Sequence, residues 1–250
     1  MTLMLGKTQA RPDAVTFKLA TYLPEVAKLP PVPPTFGHED LLPADLGGML
    51  GNDQYGDCVW AMLARAIMLA TAEGGKPAHF DTASVLAAYS AATGFDPNDP
   101  STDNGTDMAY AASWMRKHGM KDANGVVHKA AAYLALEPGN FTQHMQAAYL
   151  FGSVSVGIRF VDYAMTEFND DKPWAVERGG KIEGGHGILL LCRRGLTGVA
   201  TWGKLQMMTS AFLRKFNDES YVIVDWEMLK NGTTPEGFNA AQLTADLKAL

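Results

Sequence analysis

The pattern of apolar and polar positions divides the chain into a proline-rich start, a helical stretch and a β-rich stretch. From Cys58 to Ala72 apolar residues fall on nearly every face of a helix, with Arg65 the exception. This helix is predicted to be buried on most sides and to end at Gly74-Gly75. Residues 81–92 predict a second helix capped by Asp81 or Thr82, and Asp107 to His118 a third, closed by Gly119. After that the period shortens. Val126 to Lys129 and Ala131 to Leu136 read as short strands, and Thr142 to Tyr149 as a helix capped by Thr142. Val154 to Phe160 alternates with period two, a strand signal. Residues 161–181 read as a charged, irregular connection. Strands follow at 187–193, 197–202 and 220–226, and a weakly amphipathic helix at 239–250. Helices first and antiparallel strands afterwards predict an α+β chain.

Residues 1–45 read differently. Pro12, Pro24, Pro30, Pro31, Pro33, Pro34 and Pro43 fall there, and Leu29 to Pro34 is expected to be extended and polyproline-like. The division is therefore an N-terminal arm over 1–45 and a domain over 46–250, mainly helical over 46–150 and mainly β over 151–250. The arm is expected to lie on its own domain with Phe17, Tyr22 and Phe36 as anchors, or to tie the chain to neighbouring subunits.

The chemistry concentrates at Gly51 to Trp60, where a polar, glycine-punctuated turn runs into the apolar helix. Asp57 is a candidate N-cap, which puts Cys58 in the first turn. There free N–H groups and the helix dipole favour a thiolate. Asn52 offers an amide that can donate to an oxyanion. Tyr55 either lines a cleft or covers the turn. The candidate base is His186, set among Gly184, Gly185 and Gly187 at the head of an apolar strand; those glycines permit close backbone approach. The remaining histidines lack such surroundings and show no zinc-ligand spacing. The Asp96 to Pro100 loop lacks the pattern of a calcium loop. No metal or cofactor is therefore expected. Cys192 reads as a small buried hydrophobe.

The net charge of −6 over 250 residues, with scattered Lys and Arg, argues against nucleic acid as a partner. No run reaches membrane-spanning length, and Lys7, Arg11 and Asp13 interrupt any secretory leader. Two cysteines form no disulfide framework, so a reducing compartment suits the chain. The expected location is cytoplasmic or virion-associated.

The order turn-Cys58-helix, Gly184-Gly185-His186, then Thr201-Trp202-Gly203 resembles the papain-like cysteine peptidases, most closely poorly characterised papain-like proteins of bacteria and phages. The resemblance covers roughly residues 46 to 226. It implies a helical lobe facing a β lobe, Cys58 as nucleophile, His186 as base and Asn52, six positions before the cysteine, in the oxyanion hole. Trp202 is expected to pack over His186. Ala200 stands where the family has its orienting asparagine, and Thr201 is expected to point to the opposite strand face. Asp57 puts a carboxylate beside the nucleophile, which works against a thiolate. Two functions follow: a thiol hydrolase acting on a peptide or protein substrate, or a catalytically weak or inactive papain-like module, such as a phage virion accessory protein. In the first, the arm is a candidate inhibitory segment, as many papain relatives carry.

Overall fold

The computed structural model describes residues 3–11, 14, 17–22 and 31–225. In chain order the elements are α1 (Leu19–Tyr22), β1 (Thr35–Gly37), α2 (Cys58–Glu73), α3 (Thr82–Thr93), α4 (Met108–Lys117), β2 (Met120–Lys121), β3 (Val127–His128), β4 (Ala130–Ala135), α5 (Phe141–Phe151), β5 (Val154–Val161), α6 (Asp162–Asn169), β6 (Ile182–Arg194), β7 (Leu196–Thr201), β8 (Lys204–Met208), α7 (Ser210–Phe216) and β9 (Asn217–Asp225). This is an α+β architecture. One antiparallel sheet runs β4-β9-β5-β6-β7-β8, and β1 pairs with the C-terminal end of β6.

The apolar run of β6 does not alternate because both faces of the strand are buried. Ile188 and Leu190 lie in a core with residues of α5, α6 and α7. Leu189, Leu191 and Cys192 lie in a second core with α2, α3 and α4. Cys58 and Cys192 are both buried and free.

Helix α2 is buried from Cys58 through Thr71. Arg65 is no exception: it is 3 % exposed. Its Nε donates to Leu46 O at 2.9 Å and Nη2 to Gly48 O at 2.5 Å. These bonds hold a turn in which Leu46, Gly47, Gly48 and Leu50 all have positive φ. Burial lowers the Arg65 pKa to about 10, against the opposing field of Asp57 and Asp45.

Several local expectations change. Asn140, not Thr142, caps α5, its side chain accepting from Gln143 N–H. Residues 161–181 contain α6, whose Ala164 and Phe168 are buried one turn apart. Strand β8 and helix α7 fill the interval before β9. The arm carries regular structure despite its prolines: α1, and β1, which takes a place beside β6 where β5 has ended. Phe36 is buried and Phe17 packs on the core as expected. The Tyr22 side chain, Leu29, Pro30, Trp226 and the 239–250 tail lie outside the described residues.

Arg65→Met keeps much of the volume and removes both donors. Stability in urea should fall by about 2–4 kcal/mol, because each buried carbonyl left unpaired costs roughly 1–3 kcal/mol. A loss below about 0.5 kcal/mol, the level of an ordinary surface change, would show that the turn finds other donors.

Candidate active site

Cys58 is the first residue of α2 and is 1 % exposed. Asp57 takes the N-cap position but does not cap through its side chain. Its φ of −94° and ψ of 15° depart from the extended backbone that aims a cap at the first turn. The carboxyl instead lies buried against Gly51, where a β-carbon would stand 2.6 Å from Oδ2. Neither oxygen meets a donor at ordinary hydrogen-bond geometry. Burial raises its pKa well above the carboxylate range, with Arg65 opposing.

Gly187 brings β6 against α2. A β-carbon there would sit 3.4 Å from Val59 Cα and 3.5 Å from Cys58 O. Its N–H donates to Cys58 Sγ at 3.4 Å. His186, one residue earlier, is fully buried. It makes no direct hydrogen bond with Cys58: its Nδ1 has no partner, and its Nε2 lies 2.7 Å from Thr201 Oγ1. That contact corrects the expectation for Thr201. Leu189 pairs with Ala200, and both face α2, so Thr201 falls on the other face, which is the face of His186 and Ile188. Trp202 stacks on the imidazole, centroids 4.0 Å apart and planes at 18°, and Phe160 meets it edge-on at 5.8 Å. Trp202 holds φ 45° and Gly203 φ 72°; this two-residue turn of the β7–β8 hairpin fits the primed class that matches strand twist.

The cleft contains part of the chain itself. Residues 4–8 cross it, and the described part of the Leu29 to Phe36 stretch pairs with the far end of β6 instead. Asn52 is buried, and its Nδ2 donates to Met4 O at 3.2 Å and to Tyr55 O at 3.0 Å; Met4 N–H donates back to Asn52 O at 3.3 Å. Tyr55 packs edge-on to Phe95 and covers the turn. Gly6 slides between two other glycines, which bring backbones this close because none has a side chain. A β-carbon on Gly6 would stand 1.7 Å from Gly56 O, and one on Gly105 2.1 Å from Gly6 O. Thr106 N–H donates to Gly6 O at 2.7 Å, Lys7 N–H to Gly185 O at 3.0 Å and Thr8 N–H to Thr106 O at 3.0 Å. The segment thus pairs with the helical side through Thr106 and with the sheet through Gly185. The glycines beside His186 do admit a backbone, and it belongs to this chain.

Burial disfavours the charged form of both groups. It pushes the Cys58 thiol up to about 11, opposed by the N–H groups of Gly187 and Gly6. It pushes His186 down to about 3, with the positive charge of Arg65 adding.

Solved structures share this arrangement of elements. Xylellain, a cysteine protease from Xylella fastidiosa, is similar with a TM-score of 0.66 and 15 % identity, over 90 % of this chain and 98 % of that one. Procathepsin B S9 from Trypanosoma congolense gives 0.62 and 10 %, over 89 % and 86 %. Digestive procathepsin L 3 from Tenebrio molitor larval midgut gives 0.55 and 11 %, over 83 % and 75 %. The fold is papain-like. No protein-family model matches the sequence, and no curated protein does. Among the described residues no cluster of side chains could hold a metal ion, and no helix is long and apolar enough to cross a membrane.

Sequence reasoning missed Gly6, Lys7 and Thr106. The one local signal was Gly105, a glycine directly before the Thr106-Asp107 helix start.

Gly6→Ala should expel the segment while leaving the chain whole. Overpacking costs roughly 1–3 kcal/mol, which predicts about 5- to 150-fold faster alkylation of Cys58 by iodoacetamide at pH 7. An unchanged rate would mean that residues 4–8 do not control access.

Proposed function

We propose that this chain is a papain-like thiol hydrolase that cleaves peptide bonds and that residues 4–8 hold it shut. The observation carrying this reading is the extended segment paired in the cleft beside Cys58, between Asn52, Thr106 and Gly185. A cleft that binds peptide backbone in this way is suited to a peptide substrate.

In the open form Cys58 Sγ attacks the acyl carbon and His186 Nδ1 takes the thiol proton. The Cys58 N–H and the freed Asn52 amide hold the oxyanion. Collapse breaks the C–N bond, and the imidazolium gives its proton to the departing amine. Water, activated by the same ring, then hydrolyses the thioester. Thr201 orients the ring in place of an asparagine, and Trp202 keeps water from the Thr201–His186 bond. The resident segment escapes cleavage because it presents the Gly6 N–H to the sulfur and spends the Asn52 amide on Met4 O. The chain's similarity in fold to structures that are proforms by name is in keeping with reading the segment as a closing device. The Thr201 contact weakens the case for an inactive module, which rested partly on Ala200.

The test is turnover of a fluorogenic peptide library by full-length Gly6→Ala protein. Cys58→Ala and His186→Ala should each lower the rate by about 10³-fold or more. Thr201→Val should lower it by roughly 10- to 100-fold, the scale for a group that orients a catalytic ligand. A rate that survives loss of Cys58 overturns the reading.

The pH dependence of alkylation separates the two states. In the closed protein the thiol stays protonated to about pH 11, so the rate should climb steadily with pH through 8 and 9. In Gly6→Ala, water returns, the thiol pKa falls and the imidazole pKa rises. A thiolate–imidazolium pair then forms, and the rate should level off across neutral pH. Parallel profiles for the two proteins would count against the pair.

A further inference from the structure

The fully buried side chain in the closing segment is a lysine. The Lys7 side chain has no exposure, and its Nζ lies 2.9 Å from Glu219 Oε1 and 3.0 Å from Asp218 Oδ2. It also donates to Thr8 O at 3.0 Å. The pocket is built for length. Its floor is Gly157, where a β-carbon would stand 2.3 Å from Lys7 Cε, 2.8 Å from Met108 Sδ and 2.9 Å from Glu219 Cγ. Any side chain at position 157 would fill the space that the lysine stem occupies.

The acids are held in place. Tyr221 Oη donates to Glu219 Oε2 at 2.8 Å. Asn217 Nδ2 braces the start of β9 through Gly157 O and Glu219 O, both at 2.8 Å, and Ser220 Oγ at 2.9 Å. Arg11, which lines the adjoining cavity, is committed to Asp107 by two bonds of 2.7 and 2.8 Å. Asp218 Oδ1 is buried with no hydrogen bond. Asp218, Glu219 and Tyr221 also line that cavity of about 270 Å³, so there is room beyond an ammonium group.

When the segment leaves, two neighbouring carboxyl groups lose their buried cation. Leaving such a site empty or filling it with an apolar side chain is costly, and a cation restores the lost bonds. We infer that the pocket filled by Lys7 selects a lysine or arginine side chain of the substrate peptide, a specificity assigned by Asp218 and Glu219. A guanidinium has two more donors than an ammonium and would reach the spare Asp218 oxygen. This inference rests on the peptidase reading for its substrate class, and its test keeps the two apart.

The full-length Gly6→Ala/Lys7→Ala protein vacates both cleft and pocket. It is treated with dipeptidyl acyloxymethyl ketones carrying lysine, arginine or norleucine, at the residue next to the electrophile or one further away. At one of these positions the basic probes should modify Cys58 at least about tenfold faster than norleucine, the scale of one charge-assisted hydrogen bond. With Asp218→Asn/Glu219→Gln added, the ratio should fall to about one. Equal rates before that change overturn the pocket's role and leave the peptidase reading standing. A second measurement uses Cys58→Ala in the same background and the affinities of lysine- and norleucine-containing peptides. Tighter binding of the lysine peptide, with no peptide probe modifying Cys58, supports the pocket and overturns the peptidase reading. Equal affinities overturn the pocket.

Discussion

The site depends on one contact, Gly187 against the first turn of α2. A hydrogen in place of a side chain lets β6 approach until its N–H reaches Cys58 Sγ at 3.4 Å. The sulfur and the residue preceding Gly187 are thereby brought together by packing alone. The ladder does the rest. β6 is hydrogen-bonded to both neighbours and buried on both faces, so His186 has no freedom to slide; a one-residue slip would turn it toward α2 and put Gly187 on the wrong face. Trp202 and Phe160 fix the ring plane. Trp202 does so from a left-handed backbone conformation that a bulky residue adopts at a cost of about 1–2 kcal/mol. The tight β7–β8 turn and the stack on His186 keep it there.

The same closeness has an electrostatic consequence. A thiol and an imidazole sealed from water are both pushed toward their neutral forms, the cysteine upward and the histidine downward. In the proposed function, residues 4–8 would therefore block the cleft physically and also help to withhold the charged pair that makes a cysteine nucleophilic. Its grip is mainly backbone: the bonds at Met4, Gly6, Lys7 and Thr8 run to main chain or to the Asn52 amide. The exception is the Lys7 ammonium between Asp218 and Glu219. That pair is buried, so its net value lies less in stability than in register, since a segment shifted by one residue leaves both acids unpaired.

The elements that pack on both sides were legible in the sequence. The α2 pattern, the β6 apolar run and the glycine-flanked His186 follow from period and composition, and they mark the candidate site. What was not legible depends on long-range placement. Arg65 looks solvent-facing in a helical wheel, yet it is buried by a turn some twenty residues upstream whose carbonyls need donors. Asp57 looks like a cap, yet its backbone is not extended. Thr201 is on the histidine's face because the β6–β7 register sets Ala200 against α2, and register across a long hairpin is not written in either strand. Residues 4–8 carry no periodic signal. Gly6 matters only because Gly56 and Gly105 are opposite, which the fold alone reveals.

Thr201 also bears on how far the site departs from its expected chemistry. An amide oxygen can only accept, so it holds the proton on Nε2 and leaves Nδ1 bare to act as a base. A hydroxyl donates and accepts. In the neutral ring the 2.7 Å contact is compatible with either tautomer, and only one of them has Nδ1 free to take the thiol proton. Once the ring is protonated both nitrogens donate, and the hydroxyl has one role left, as acceptor. Thr201 therefore supports the imidazolium well and the neutral base less selectively. In the proposed mechanism the proton must first reach the ring in the right tautomer, and the Trp202 stack holds the ring plane while it does. In that mechanism the threonine would thus move the discrimination from the neutral state to the charged one, and turnover would depend on stabilising the ion pair after the cleft opens.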